Sequence, residues 1–352
     1  MEAARRLHAE RVLVIRLGAL GDVVRTRFAF PALRQLYPEA RIDWLVEDRA
    51  AAGLAGIDGL DEVVCVPRHR IDVRWPASLV RVALESVRRI RSGHYDLAID
   101  FHSSLKSALL AWSAAIPQRV GYASPVAREG SQLLFTHRVQ LRTPHVSRFE
   151  RNAALVRFLG GEVPETAPRL APDPAADVAG LPERFYAIHP GTSPSTAYKR
   201  WDPSRFAQVA VELRDRTGVP AVVTWGPVQG ERDCAQQVVD LAGGAALLSP
   251  ETHSIREFLT LLGRAELLVA ADSGPVHLCA LAGRPTVVIF GPTDPIENAP
   301  FPGAGTRILR HDVGCNPCRE GCPARACMRA VEPAEVVARA LELVAALPAA
   351  AT

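Results

Sequence analysis

The chain has 352 residues, 48% of them apolar, seven cysteines and a formal net charge of +3. That is enough chain for two domains with sizeable cores. No apolar run approaches the roughly 20 residues of a membrane span, and the leading "MEAARRLHAERV" lacks the apolar stretch of a signal peptide. The expectation is a cytoplasmic protein, with peripheral membrane contact left open and no nucleic-acid partner. The net charge hides an asymmetry. Residues 1–160 carry 24 basic against 16 acidic side chains, a net of +8, and residues 161–352 carry 17 against 22, a net of −5. A basic half beside an acidic half suggests that the first half meets something anionic.

Short apolar runs alternate with helix-length amphipathic segments. In chain order, "RVLVIRL" reads as a buried strand and "DVVRTRFAFPALRQLYP" as one helix ending near Pro38. "RIDWLVED" and "EVVCVP" are strands flanking a short helix in "AAGLAG". "SLVRVALESVRRIRSG" is a helix stopped by Gly93, "YDLAIDFH" a strand, "SLKSALLAWSA" a helix and "QRVGY" a short strand. The pattern lapses in the Pro- and Ala-rich residues 161–183, which read as a linker. It then resumes with strands in "RFYAIHP", "PAVVTWG", "AALLSP", "ELLVAAD" and "PTVVIFG", separated by helices. The expected fold is α/β with parallel sheets. It has a domain at 1–160, a linker at 161–183, a second domain at 184–330 and a C-terminal helix within 331–352 that packs back across the domains.

The chemistry-bearing residues follow strands, where open parallel sheets bind ligands. "RLGALGDVV" contains Gly18 and Gly21 but not the G-x-G-x-x-G of a dinucleotide fold, and places Asp22 where a helix begins. Asp22 reads either as a helix cap or as a functional carboxylate. In "HPGTSPSTAYKRWDP", His189, Gly191, Thr192 and Ser193 form a polar turn able to offer N–H groups to a phosphate, and Lys199 and Arg200 can reach a diphosphate. Asp202 with Pro203 reads as a cap and first turn of the following helix. "AADSGPVHL" brings Asp272, Ser273 and Gly274 to a helix start, with His277 on its first turn. Glu231 in "VQGERD" is a carboxylate able to hold ribose hydroxyls, or a solvated helix-start glutamate.

Taken together, "RLGALGDVV", "HPGTS…KRW", "ADSGPVHLCALAGRPTVVIFGPTDP" and the cysteine-rich end resemble glycosyltransferase family 9, the lipopolysaccharide heptosyltransferases. The resemblance covers almost the whole chain and implies the GT-B type, two facing Rossmann-like domains. It implies an inverting transferase moving heptose from ADP-L-glycero-β-D-manno-heptose to the lipopolysaccharide inner core. Asp22 then matches the general base. Thr192, Ser193, Lys199, Glu231, Thr252, Asp272, Ser273, Gly274 and His277 fall on the donor side. Gly21, Lys106 and Arg128 fall on the acceptor side, with Arg68, His69, Arg70 and Arg74 as further contacts for an anionic lipid A–Kdo acceptor. This reading requires no cofactor and leaves divalent-metal dependence open.

Cys315, Cys318, Cys322 and Cys327 have the spacing C-x2-C-x3-C-x4-C and are placed away from the catalytic motifs as a structural staple. They are open to a structural zinc, an iron–sulfur cluster or disulfides. Three other readings stay in view: another nucleotide-sugar or glycan acceptor, a nucleotide-sugar epimerase, and a catalytically silent nucleotide-sugar-binding protein.

Overall fold

The computed structural model of the chain describes residues 7–72, 74–163, 178–228, 230–301, 305–318 and 321–346. The chain divides into two units, Met1–Glu165 and Thr166–Thr352. Most of the stretch read as a linker, residues 164–177, lies outside the described residues.

The first unit contains β1 (Arg11–Ile15), α1 (Leu20–Arg27), α2 (Phe30–Leu36), β2 (Arg41–Glu47), α3 (Asp48–Ala51) and β3 (Glu62–Val66). It continues with α4 (Pro76–Ser92), β4 (Leu97–Asp100), α5 (Leu105–Ser113), β5 (Gln118–Tyr122), β6 (His137–Val139) and α6 (Arg148–Phe158). All six strands are parallel, in the order β3-β2-β1-β4-β5-β6. Val12, Leu13, Val14 and Ile15 are fully buried, as a strand covered by helices on both faces must be. The single helix expected from Asp22 to Pro38 is two. Pro31 lies in the first turn of α2, and a proline inside a continuous helix would clash with the carbonyl four residues back, so the chain breaks at Phe28–Ala29. Two elements not anticipated from the sequence, β6 and α6, complete the unit; α6 is capped by the Ser147 side chain accepting from the Glu150 N–H.

The second unit contains β7 (Tyr186–His189), α7 (Pro203–Thr217), β8 (Ala221–Val223), α8 (Glu231–Ala242), β9 (Ala246–Leu248), α9 (Ile255–Arg264) and β10 (Leu268–Ala271). Then come α10 (Gly274–Leu281), β11 (Thr286–Ile289), α11 (Pro295–Asn298), β12 (Thr306–Leu309), α12 (Ala326–Arg329) and α13 (Pro333–Ala345). Its strands are also all parallel, in the order β12-β11-β10-β7-β8-β9. Counted from its own first strand, that is the same winding as the first unit. Helix α7 starts as the sequence indicates, with the Asp202 side chain accepting from the Ser204 N–H and Pro203 in the first turn. It ends where Gly218 takes the left-handed conformation at φ 73°. Helix α13 packs on α7, β11 and β12 of its own unit, because Val336, Val337, Ala340 and Leu343 form an apolar stripe buried in that core. No helix among the described residues is long and apolar enough to cross a membrane.

Candidate active site

In each unit the strand order reverses between the first strand and its neighbour, β4 or β10, and the loops leaving those two strands diverge there. That switch point is where doubly wound sheets bind ligands. Both clusters of chemistry-bearing residues are built around these loops.

In the first unit, the loop after β1 carries Arg16 and leads into α1. Asp22 is not the cap of that helix: Ala19 is, without any side-chain cap bond. The Asp22 carboxylate is instead gripped by arginines from three elements. Arg16 pairs with Oδ2, Arg25 Nη2 lies 2.6 Å from Oδ1, and Arg148 Nε of α6 lies 3.9 Å from Oδ1. Burial alone would raise the Asp22 pKa, but the charges of Arg16, Arg25 and Arg148 outweigh it and hold the carboxyl far below the usual carboxylate range. Arg16 is itself fixed by donating to the Phe101 carbonyl at 2.8 Å. The α1 backbone is tied to α6, since Thr26 donates to the Asp22 carbonyl at 2.8 Å and accepts from Asn152 at 3.3 Å. A cavity lined by Arg16, Asp22, Arg25, Arg128, Arg148 and Arg151 results.

Of the residues expected on the acceptor side, Arg128 is brought to this cavity. Gly21 lies at its edge, where its carbonyl accepts from Arg25 Nε at 3.3 Å. Lys106 is instead engaged by the buried Glu47, which also holds Arg49 at 2.7 Å. The basic residues Arg70 and Arg74 pair with Glu85 and Asp72, and His69 with Asp48.

Sequence reasoning missed Arg16, Arg25 and Arg148, which lie in different segments and converge only in the fold. It also missed the end of β4. There Asp100, buried and accepting from the His102 and Ser103 N–H groups at 2.8 Å each, has its pKa pushed up to about 6 by burial. Its Oδ2 and His102 Nδ1 have no hydrogen-bond partner among the described residues. Burial, reinforced by the Arg16 charge, drives His102 down to about 3, leaving it a neutral imidazole. The signal available was position: "DFHS" closes the switch-point strand.

In the second unit, Lys199 Nζ bonds Asp272 Oδ2 at 2.8 Å, and the same oxygen accepts from Thr293 Oγ1 at 2.7 Å. Thus the turn after β7, the end of β10 and the "GPTDP" turn after β11 are joined at one carboxylate. Next to Asp272, Ser273 opens α10, making no side-chain cap bond, and its buried Oγ has no partner among the described residues. Gly274 and the buried His277 belong to α10 itself. Arg200, expected to reach a ligand, is committed to the turn: Nη2 donates to the Thr192 carbonyl at 2.7 Å and Nε to Thr192 Oγ1 at 3.2 Å. Ser193 Oγ is exposed and 2.9 Å from Thr196 Oγ1.

Glu231 is the first residue of α8 and is buried, not solvated. Its Oε2 accepts from the Gly226 N–H at 2.9 Å, and burial raises its pKa. A Cβ on Gly191 would stand 2.9 Å from the Glu231 carboxyl carbon, and one on Gly226 2.8 Å from Oε2, so a side chain at either position would push the carboxylate out of its place. Beside it His189, lowered to about 4 by burial, shares a 3.0 Å bond with Thr224 and stands 4.0 Å from Glu231. Thr252 lies in the loop between β9 and α9.

The model of glycosyltransferase family 9 (heptosyltransferase) matches residues 83–327. The chain belongs to glycosyltransferase family 9. Lipopolysaccharide heptosyltransferase 1 of Pseudomonas aeruginosa PAO1 is 28% identical over 330 residues, covering 88% of this chain and 86% of that one. Lipopolysaccharide heptosyltransferase 1 of Escherichia coli K12 is 26% identical over 297 residues, covering 81% and 89%. Among solved structures, E. coli heptosyltransferase WaaC with ADP superposes with a TM-score of 0.74 at 23% identity, over 95% of this chain and 99% of that one. The fold is accordingly of the GT-B type, and the protein is a glycosyltransferase.

One expectation about this family 9 chain is corrected. The cysteine-rich loop does not lie away from the catalytic motifs. The Cys318 N–H donates to the Pro292 carbonyl at 2.7 Å, and Asn316 Nδ2 to the Gly291 carbonyl at 3.0 Å, so the loop backs the turn that carries Thr293. Gly321 lies against Tyr198, where a Cβ would come within 2.5 Å of the ring. All four cysteines are free thiols, and Cys327 is buried in the core. Among the described residues no group of three His, Cys, Asp or Glu side chains is arranged to hold a metal ion.

Proposed function

We propose that this glycosyltransferase moves heptose from an ADP-heptose donor to the lipopolysaccharide inner core, with inversion and without a covalent intermediate. The observation that carries the reading is Asp22, a single carboxylate ringed by arginines at the switch point of the basic unit. An anionic acceptor, with the carboxylates and phosphates of Kdo and lipid A, is drawn to those arginines. Asp22 takes the proton of the acceptor hydroxyl as its oxygen bonds to C1 of the sugar and the bond from C1 to the diphosphate breaks. In the acceptor-free protein the arginines leave Asp22 weakly basic. An acceptor that engages Arg25 and Arg148 withdraws their charge from the carboxylate and restores its basicity.

On the donor side, Lys199 and the N–H groups at the start of α10 neutralise the departing diphosphate. Asp272 acts by holding Lys199 and Thr293, since a carboxylate does not itself favour a diphosphate. In this reading Glu231 takes the ribose hydroxyls and Thr252 or its neighbours lie near the adenine. The test is ADP release with ADP-heptose and a panel of truncated core acceptors, wild type beside Asp22→Asn. Acceptor-dependent release that disappears in the variant supports the reading. Donor binding without acceptor-dependent release, across the panel, overturns the lipopolysaccharide acceptor; unchanged turnover in Asp22→Asn overturns the base.

A further inference from the structure

Among the described residues, all eight large apolar side chains that the first unit exposes lie on one region built by α4, α5 and the residues flanking them. Single exposed leucines need no explanation, but a grouping of this kind does. Helix α5 turns Ala108, Leu110 and Ala111 inward, yet its outer face is also apolar: Leu105, Leu109 and Trp112 recur at i, i+4 and i+7, with Trp112 53% exposed. Such a stripe belongs in a core, and here it faces outward. On α4, Val82, Ser86 and Ile90 are buried while Leu79, Val80 and Leu84 are exposed. The two helices pack together, with Arg91 Nη2 donating to the Ser113 carbonyl at 2.7 Å. Trp75, 69% exposed, precedes α4, and Leu133, 72% exposed, stands on the 3-10 turn Ser131–Leu134 that packs against α5.

The charge around this face is mainly basic. Residues 68–92 hold seven arginines against two acids, Asp72 and Glu85. Arg81 and Arg88 project from the exposed side of α4 near Val80 and Leu84. Tryptophan and leucine interleaved with arginine is the chemistry of a surface that lies in the headgroup layer. The rings and aliphatic chains enter the acyl boundary, and the guanidinium groups stay with the phosphates.

We propose that the outward face of α4 and α5, with Trp75 and Leu133, docks on a bilayer carrying anionic lipids. It does so flat on the surface, without inserting a span. The docking does not depend on which sugar the enzyme transfers. Charge complementarity selects the occupant: an apolar protein partner or a second copy of this chain, whose own face carries the same excess of arginine, leaves those charges unanswered.

The test is flotation of the full-length protein with vesicles of phosphatidylcholine and phosphatidylglycerol, and of phosphatidylcholine alone. Wild type is expected to float with the anionic vesicles, to be released by salt, and to show a tryptophan blue shift. Trp75→Ser/Trp112→Ser and Arg81→Glu/Arg88→Glu each weaken binding by about tenfold or more while the melting temperature holds. The proposal is overturned if wild type ignores anionic vesicles, or if both variants bind them as well as wild type. It is also overturned if the face instead drives a concentration-dependent dimer that Trp75→Ser/Trp112→Ser dissolves. ADP release on a soluble truncated acceptor is read in parallel. Wild type that turns over but ignores anionic vesicles is a failure of this surface alone, and wild type that binds vesicles without any turnover is a failure of the heptosyl reading alone.

Discussion

The two units wind six parallel strands in the same order and handle charge in opposite ways. At the switch point of the first, one carboxylate, Asp22, is overcompensated by Arg16, Arg25 and Arg148. At that of the second, the cation Lys199 is matched by one carboxylate, Asp272, which also takes the Thr293 hydroxyl. A second acid of that unit, Glu231 after β8, is buried with a raised pKa. The first arrangement leaves net positive charge for an anion to claim and keeps its acid ionised. The second holds a cation in a fixed place with little excess charge. The fold supplies the same crevice twice; the side chains set into it decide what each can do.

The sharpest way to break this contrast is to remove the first unit's acid. Asp22→Asn keeps the shape and loses the proposed proton acceptor, and we expect kcat to fall by about two to four powers of ten with donor binding unchanged, measured by ADP release and calorimetry. Lys199→Met removes the second unit's cation. We expect a loss of about a hundredfold in kcat, as for other groups that stabilise developing charge, with the pH profile unaltered.

The next variant sharpens the contrast rather than breaking it. Arg148→Gln withdraws one of the charges that lower the Asp22 pKa. The acid limb of kcat/KM, which reports the free enzyme, should move to higher pH than in wild type, and a limb that stays in place removes the arginine from control of the base.

Asp100 gives a stability test with the opposite sign from Asp22. Its folded-state pKa is raised by burial from 3.8 to about 6, so its favourable contribution is complete below pH 3.8 and is lost as pH rises through 6. Asp22, depressed in the fold, contributes above its unfolded value and loses that contribution as pH falls. Melting curves should therefore show Asp100→Asn gaining on wild type between pH 4 and 7, and a constant difference would count against the assignment. The smallest effect is structural. Asp202→Ala removes the cap of α7 and should cost about 1 kcal/mol in denaturant unfolding, with chemistry at Lys199 preserved.

Much of this was legible in the chain. Buried strands such as "RVLVI" and "LLVAA" announce themselves because parallel strands are apolar on both faces, and helix starts such as Asp202–Pro203 carry their own chemistry. The strands β6 and β12 escaped because each is short and at a sheet edge, where "HRV" and "TRIL" mix polar and apolar residues. The break between α1 and α2 was signalled by Pro31 but masked by a continuous amphipathic pattern. Lys199, Asp272 and Asp22 could be picked out because each follows a strand. Their partners could not: Arg148 reaches Asp22 from 126 positions further along the chain, and local patterning carries no trace of such a meeting.

The loop bearing Lys199 has a distant anchor. Trp201, two residues on, is fully buried and donates its indole N–H to the Val331 carbonyl at 3.3 Å, and Arg205 reaches the same carbonyl at 2.6 Å. Seen along the time axis of synthesis, the two clusters mature at different moments. Every residue that grips Asp22 has been made by Arg148, and domains fold as units while the chain emerges. Lys199 waits about 130 residues more for its support to leave the ribosome. A nascent chain therefore completes the cluster around Asp22 well before the loop bearing Lys199 gains its anchor, which waits for the turn at Val331, between α12 and α13, to close on Trp201.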